Sequence, residues 1–125
     1  MDAAECERVA RDWVALQYAA RRSATYDELF LAWEQLDDLV HHDPETAWVI
    51  IGLIWQLDQT EKVLASLAAG PVEDLLVYHG ELIIDRAVAT ARQEPVFRKL
   101  LGAVWRNRIA APVWARLRQI ADPSF

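Results

Sequence analysis

Proline recurs in this chain where a helix would begin. Asp43-Pro44, Gly70-Pro71 and Glu94-Pro95 place prolines 27 and 24 residues apart. The apolar or mixed triplets Trp48-Val49-Ile50, Leu75-Leu76-Val77 and Lys99-Leu100-Leu101 each follow a proline by four to six residues. Proline suits the first turn of a helix, because the N–H it lacks would have no intrahelical partner there. No segment alternates β-branched and polar residues between hairpin turns, and Asn-Gly and Asp-Gly do not occur. Strands are therefore not expected.

The spacing matches a helix–turn–helix unit. A further proline, Pro112, opens a last helix toward Ile120. The expected fold is all-α, with seven or eight short helices in a compact bundle or a short HEAT-like stack of helical hairpins. A length of 125 residues makes residues 1–125 a single α-helical domain. The first helix is expected from about Ala3 to Ala20, with Val9, Trp13 and Leu16 on one stripe. Thr25-Tyr26-Asp27-Glu28 reads as a capping box for the second, which turns Leu29, Trp33, Leu36 and Val40 inward. The third, Pro44–Leu57, has almost no polar face and is expected at the centre of the core.

Composition narrows the function classes. The one cysteine, Cys6, excludes an internal disulfide framework and fits a reducing cytoplasm. The longest apolar run, Ala47–Trp55, falls far short of the roughly 20 residues a spanning helix needs, so no membrane is expected. The charged N-terminus has no apolar signal core. The net charge of −6 hides a division. Residues 1–85 carry 17 acids against 5 bases, and residues 86–125 carry 2 acids against 8 bases. This asymmetry marks either a partner-binding face or two ends that attract each other. Overall acidity speaks against general nucleic-acid binding, which a basic field drives.

The densest local pattern is Ala68–Gly80, AAGPVEDLLVYHG. Gly70 and Pro71 read as a tight helix–helix corner, Glu73 and Asp74 as first-turn carboxylates, His79 as a last-turn imidazole and Gly80 as a left-handed helix end. The alternative gathers Glu73, Asp74 and His79 in a groove, but a separation of five or six residues does not put them on one helix face.

This string, with Leu100–Asn107, LLGAVWRN, resembles an uncharacterised bacterial family of unknown function. That family carries an A-G-P-L-E-D-L-L signature, then H-G and L-G-x-V-W; here Val72 stands for the leucine. Ala47-Trp48 and Phe97–Leu101 share the likeness, which spans roughly residues 44–107. The resemblance implies a bacterial protein and supplies no activity. It singles out Gly70, Pro71, Glu73, Asp74, His79, Gly80, Trp105 and Arg106. Two separated polar elements in one signature imply contact, with Glu73 or Asp74 pairing to Arg106 or Arg98.

Other clusters read structurally. Adjacent His41 and His42 point about 100° apart on a helix and suit its C-terminal end, while Asp43 caps the next helix. No zinc motif is present. Cys6 lacks a histidine neighbour. Ser23, Ser66 and Ser124 lack an elbow setting. The four glycines are isolated, so there is no phosphate loop. No catalytic, cofactor-binding or metal residue is assigned, and nothing in the chain asks for an enzyme. The last third interleaves Arg98, Lys99, Arg106, Arg108, Arg116 and Arg118 with Phe97, Trp105 and Trp114. Most of these rings are expected in the core, and any outward ones would suit an acidic protein partner.

The resulting expectation is a protein-interaction module of a bacterial cytoplasm, an immunity-type neutraliser or adaptor with a protein partner, with room for a homodimer. The alternatives are a small-ligand binder or enzyme using Glu73, Asp74, His79 and Arg106, and nucleic-acid binding through the basic C-terminal third.

Overall fold

Short polar side chains set the helix starts in the first half. Asp2, Ser23 and Asp43 each accept a backbone N–H three residues on, at 2.8, 3.0 and 3.2 Å. These caps open α1 (Ala3–Tyr18), α2 (Ala24–His42) and α3 (Pro44–Leu57). Ser23, not Thr25, caps α2, so the cap lies two residues earlier than expected and Tyr26 stands where a capping box needs Glu or Gln. Arg22 adopts a left-handed φ of 66°, and the Ser23 hydroxyl also donates to the Ala20 carbonyl at 2.6 Å. That pair of bonds closes the corner before Thr25 is reached.

The computed structural model describes residues 1–123, so Ser124 lies outside the described residues. Among those described, every regular element is helical: after α3 come α4 (Glu61–Leu67), α5 (Glu73–Gln93), α6 (Pro95–Gly102) and α7 (Ala111–Ile120). A π turn, Ala68–Val72, joins α4 to α5 without a break. The described chain therefore has six continuous helical stretches, fewer than the seven or eight expected. The corner read at Gly70-Pro71 is this π turn. Pro71 has no N–H to give and its ring would clash with the carbonyl four residues back. A widened turn absorbs both defects while the helix runs on. The Glu73 N–H reaches the carbonyls of Ala68 and Gly70, so Glu73 does not stand at a free helix start as expected.

Gly80 does not end a helix either. No glycine has a positive φ, and Gly80 lies inside α5 directly after a kink at His79 (φ −135°, ψ 32°). Its lack of a side chain serves close packing: a Cβ there would lie 3.0 and 3.2 Å from the two Val113 methyls on α7. Gly102 serves the same purpose at the end of α6, where a Cβ would run into the carbonyl oxygen of Asp122.

The chain divides into two compact units, residues up to Val63 and residues from Leu64 onward. In the first, α1 packs on α2 and α3, and α2 packs on α3. Its core takes Val9 and Trp13 from α1, Leu36 and Val40 from α2, and Ile50 and Ile54 from α3. α3 has the bounds its sequence predicts, but its apolar surface exceeds what is covered: Val49 is 53% exposed. On α2 the buried stripe is Ala32, Leu36 and Val40, while Trp33, expected inward, is 43% exposed. Ala32 takes the buried position on this stripe, and Trp33 stacks on Phe30 at 5.3 Å. In the second unit α5 is the spine, contacting the π turn, α6 and α7. Phe97, Leu100 and Leu101 of α6 and Leu117 of α7 are fully buried.

At the end of α3 the Asp58 carboxylate accepts from the Tyr18 hydroxyl at 2.7 Å and from the Thr60 hydroxyl and N–H at 2.7 and 2.9 Å. The Tyr18 bond, then those from Thr60, hold Asp58 below the usual carboxylate range. The Thr60 contact favours the Tyr18 phenolate, but the Asp58 carboxylate and desolvation outweigh it and raise the phenol. Asp43 is likewise lowered, by the Thr46 hydroxyl and then its N–H. A depressed folded-state pKa stabilises above the unfolded value, about 3.9 for Asp, and that stability is lost as pH falls through the folded value. Stability measured by urea midpoint should fall between about pH 5 and pH 2, and less steeply in Asp58→Asn. The change is small because the group is solvated, and Asp43 keeps some slope in the variant. Equal slopes in both proteins would remove Asp58 from the linkage.

Candidate functional site

The segment after α6 is built as a rigid turn. Val104 and Ile109 are buried, and their N–H groups donate to Leu101 and Arg106 carbonyls at 3.2 and 2.8 Å. Between these anchors the chain reverses through Asn107, whose φ of 45° lies in the left-handed region that Asn tolerates better than most residues. The side chains from Trp105 to Arg108 are thereby pushed outward. Trp105 is 78% exposed, more than any other large apolar side chain described. This corrects the expectation that the rings of the last third lie mostly in the core: Phe97 is buried, Trp114 is half-buried and Trp105 is on the surface.

Two side-chain contacts pin this turn to α5. Asn107 Nδ2 donates to Glu73 Oε2 at 3.2 Å, and Arg108 Nη2 donates to the Tyr78 hydroxyl at 3.1 Å. The Arg108 guanidinium also lies over the Tyr78 ring, 5.7 Å from its centroid, a cation–π arrangement. The Tyr78 hydrogen bond, the charge interactions with Tyr78 and the Asp74 carboxylate outweigh desolvation and raise the Arg108 pKa.

The two signature segments thus meet, but through other residues than expected. Glu73 pairs with Asn107 instead of Arg106 or Arg98. Arg106 Nε donates to the Ile109 carbonyl at 3.4 Å within its own turn. Arg98 donates to the Ala91 carbonyl at 3.0 Å and pairs with Asp122 at 3.4 Å. Each guanidinium is captured by a nearby carbonyl, and the amide of Asn107 is left facing Glu73. Gly70 and Pro71 sit in the π turn just before Glu73, and a Cβ at Gly70 would meet nothing within 4 Å beyond its chain neighbours. Asn107 and Tyr78 were not singled out from the sequence, and Arg108 was named only among the basic residues of the last third. Asn107 alone carried a signal, as an asparagine in a short helix-to-helix connection.

A shallow cleft of about 340 Å³ opens at the His79 kink, lined by Leu76–Leu82 of α5 with Val113 of α7 and Ala110 just before that helix. His79 and Gly80 line it; Glu73, Asp74 and Arg106 do not. The grouping of Glu73, Asp74, His79 and Arg106 around one cleft is therefore not how this space is built. A second hollow, about 370 Å³, follows the outer face of α2 and is lined by Trp33, Glu34, Asp37, Asp38, His41 and His42. His41 Nδ1 lies 2.7 Å from the Asp37 carbonyl, and His41 and His42 lie 3.9 and 3.8 Å from the Asp37 and Asp38 carboxylates one turn back. Among the described residues, no three His, Cys, Asp or Glu converge as metal ligands, and no helix is long and apolar enough to cross a membrane.

No curated protein and no solved structure matches this chain. Residues 20–125, which contain the Ala68–Gly80 segment and the pinned Trp105 turn, match a family of unknown function, DUF6869, and the chain belongs to that family.

Proposed function

We propose that this protein is a protein-interaction module of a bacterial cytoplasm, a neutraliser or adaptor of the immunity type. Its contact surface is the Trp105–Arg108 turn with the adjoining Tyr78 face of α5. One observation carries the reading: Trp105 is 78% exposed on a turn whose Asn107 and Arg108 side chains are hydrogen-bonded to α5. A tryptophan kept in water costs solubility, and fixing the backbone beneath it reduces the entropy lost on binding. Tryptophan and arginine together are the commonest interface anchors. Arg106 and Arg108 beside the ring favour a partner with an acidic surface. The finer reading of the fold, one domain formed as a compact bundle or short HEAT-like stack, belongs to the same proposal, since stacked helical repeats present successive turns along one binding face.

The test is quantitative affinity capture from the native organism with three baits: wild type, Trp105→Ala and Val49→Ala. Val49 controls for an exposed apolar residue elsewhere. A genuine partner is recovered equally with wild type and Val49→Ala, and at least about tenfold less with Trp105→Ala. Equal recovery of every captured protein by all three baits would overturn the proposal.

A further inference from the structure

The outer face of α2 combines exposed acidic and exposed apolar side chains. Residues 24–42 contain five carboxylates and no lysine or arginine. Four of the five, Asp27, Glu28, Glu34 and Asp38, are exposed and Asp37 is half-buried. This acidity is combined with apolar surface: Leu31 and Trp33 are exposed, and Trp33 stacks on Phe30. The hollow along this face places the Trp33 ring beside Glu34, Asp37 and Asp38. An aromatic ring bordered by carboxylates suits one class of group above others, a planar guanidinium, which stacks on the ring while its edge donates to the acids.

The chain itself carries the complementary surface. Trp105, Arg106 and Arg108 are exposed on the pinned turn, within the last forty residues, where 8 bases face only 2 acids. We infer that the α2 face of one copy docks the Trp105–Arg108 turn of a second copy. Each copy offers both faces, so the contact is heterologous and pairs unlike surfaces. Arg106 of one copy enters the Trp33–Glu34–Asp38 hollow of the other, and the Trp105 indole covers the exposed apolar side chains beside it. The inference rests on the reading that the Trp105 turn binds an acidic protein, and it names that protein.

The closing experiment uses complementary interface knock-outs of the full chain. One variant carries Glu34→Lys and Asp38→Lys, the other Trp105→Ala and Arg106→Glu; circular dichroism checks that both stay helical. Sedimentation should show the wild type self-associating and each variant alone as a monomer. An equimolar mixture of the two variants should form a 1:1 complex, because one retains an intact turn and the other an intact α2 face. Raising the salt from about 0.05 M to about 0.5 M should weaken the wild-type association at least tenfold, since the paired charges are then screened. A wild type that stays monomeric at low salt would overturn the inference, as would self-association that both variants retain. If the wild type is monomeric while Trp105→Ala still loses a captured protein, the inference fails and the interaction surface stands. If Trp105→Ala loses nothing in either experiment, both fail.

Discussion

Replacing Phe97 with alanine should destabilise the protein by about 3–5 kcal/mol, whereas the same change at Trp105 should move stability by no more than about 0.5 kcal/mol. Both are large rings in the basic last third, eight residues apart. Phe97 is 0% exposed among Leu100, Leu101 and Leu117. Removing its ring forfeits the transfer energy of the lost atoms and leaves a cavity that a helix held at both ends closes poorly. The end of α6 is fixed by the crossing of Gly102 and the Asp122 backbone, and by the Arg98–Asp122 pair. Trp105 leaves no comparable cavity, since most of its surface already meets water. Urea unfolding of the two variants checks this directly. A Trp105→Ala variant as unstable as Phe97→Ala, at concentrations where the protein is monomeric, would mean that the ring is buried within its own chain, which would remove the basis of its proposed role.

That contrast marks the limit of what the sequence discloses. The bounds of α3 could be read because Asp43-Pro44 begins it with two local signals, a side-chain acceptor and a proline, which need no tertiary information. The same reasoning failed at Gly70-Pro71. A glycine followed by a proline ends one helix and begins another, or sits in a π turn within a single helix, with the same letters. Which occurs depends on whether the following residues can pack as a continuation, and here Val72, Leu75 and Leu76 are all buried. On α2, stripes through Leu29–Trp33–Leu36–Val40 and through Ala32–Leu36–Val40 both satisfy a helical period. Tertiary packing, which buries Ala32 and leaves Trp33 exposed, selects between them. The meeting of the two signature segments was legible, because polar residues far apart in one signature need each other. Its chemistry was not, because carbonyls brought near by folding captured the arginines and left Asn107 to reach Glu73.

Glycine gives the sharpest separation of local from tertiary causes. Gly52→Ala should stabilise the protein by about 0.4–1 kcal/mol, since the new methyl meets open space inside α3 and the unfolded chain loses freedom. Gly80→Leu should destabilise it by about 1–3 kcal/mol, although leucine is the better helix former. At position 80 even a Cβ lies 3.0 Å from a Val113 methyl. The side chain of Val113 is β-branched and cannot rotate aside cheaply, so α7 must shift from α5. Val113→Ala removes both methyls and should recover part of the loss in the double variant. The Gly80→Leu and Val113→Ala effects should be non-additive by about 0.5–3 kcal/mol, with the double variant more stable than their sum. Thermal and urea unfolding of the four members of this cycle measure the coupling. Additive effects would show that Gly80 is required for the kink at His79 instead of for the approach of α7, because a backbone requirement would persist whatever stands at position 113. The coupling thus decides which of two physical reasons places a glycine after His79, inside a helix where its propensity alone would disfavour it.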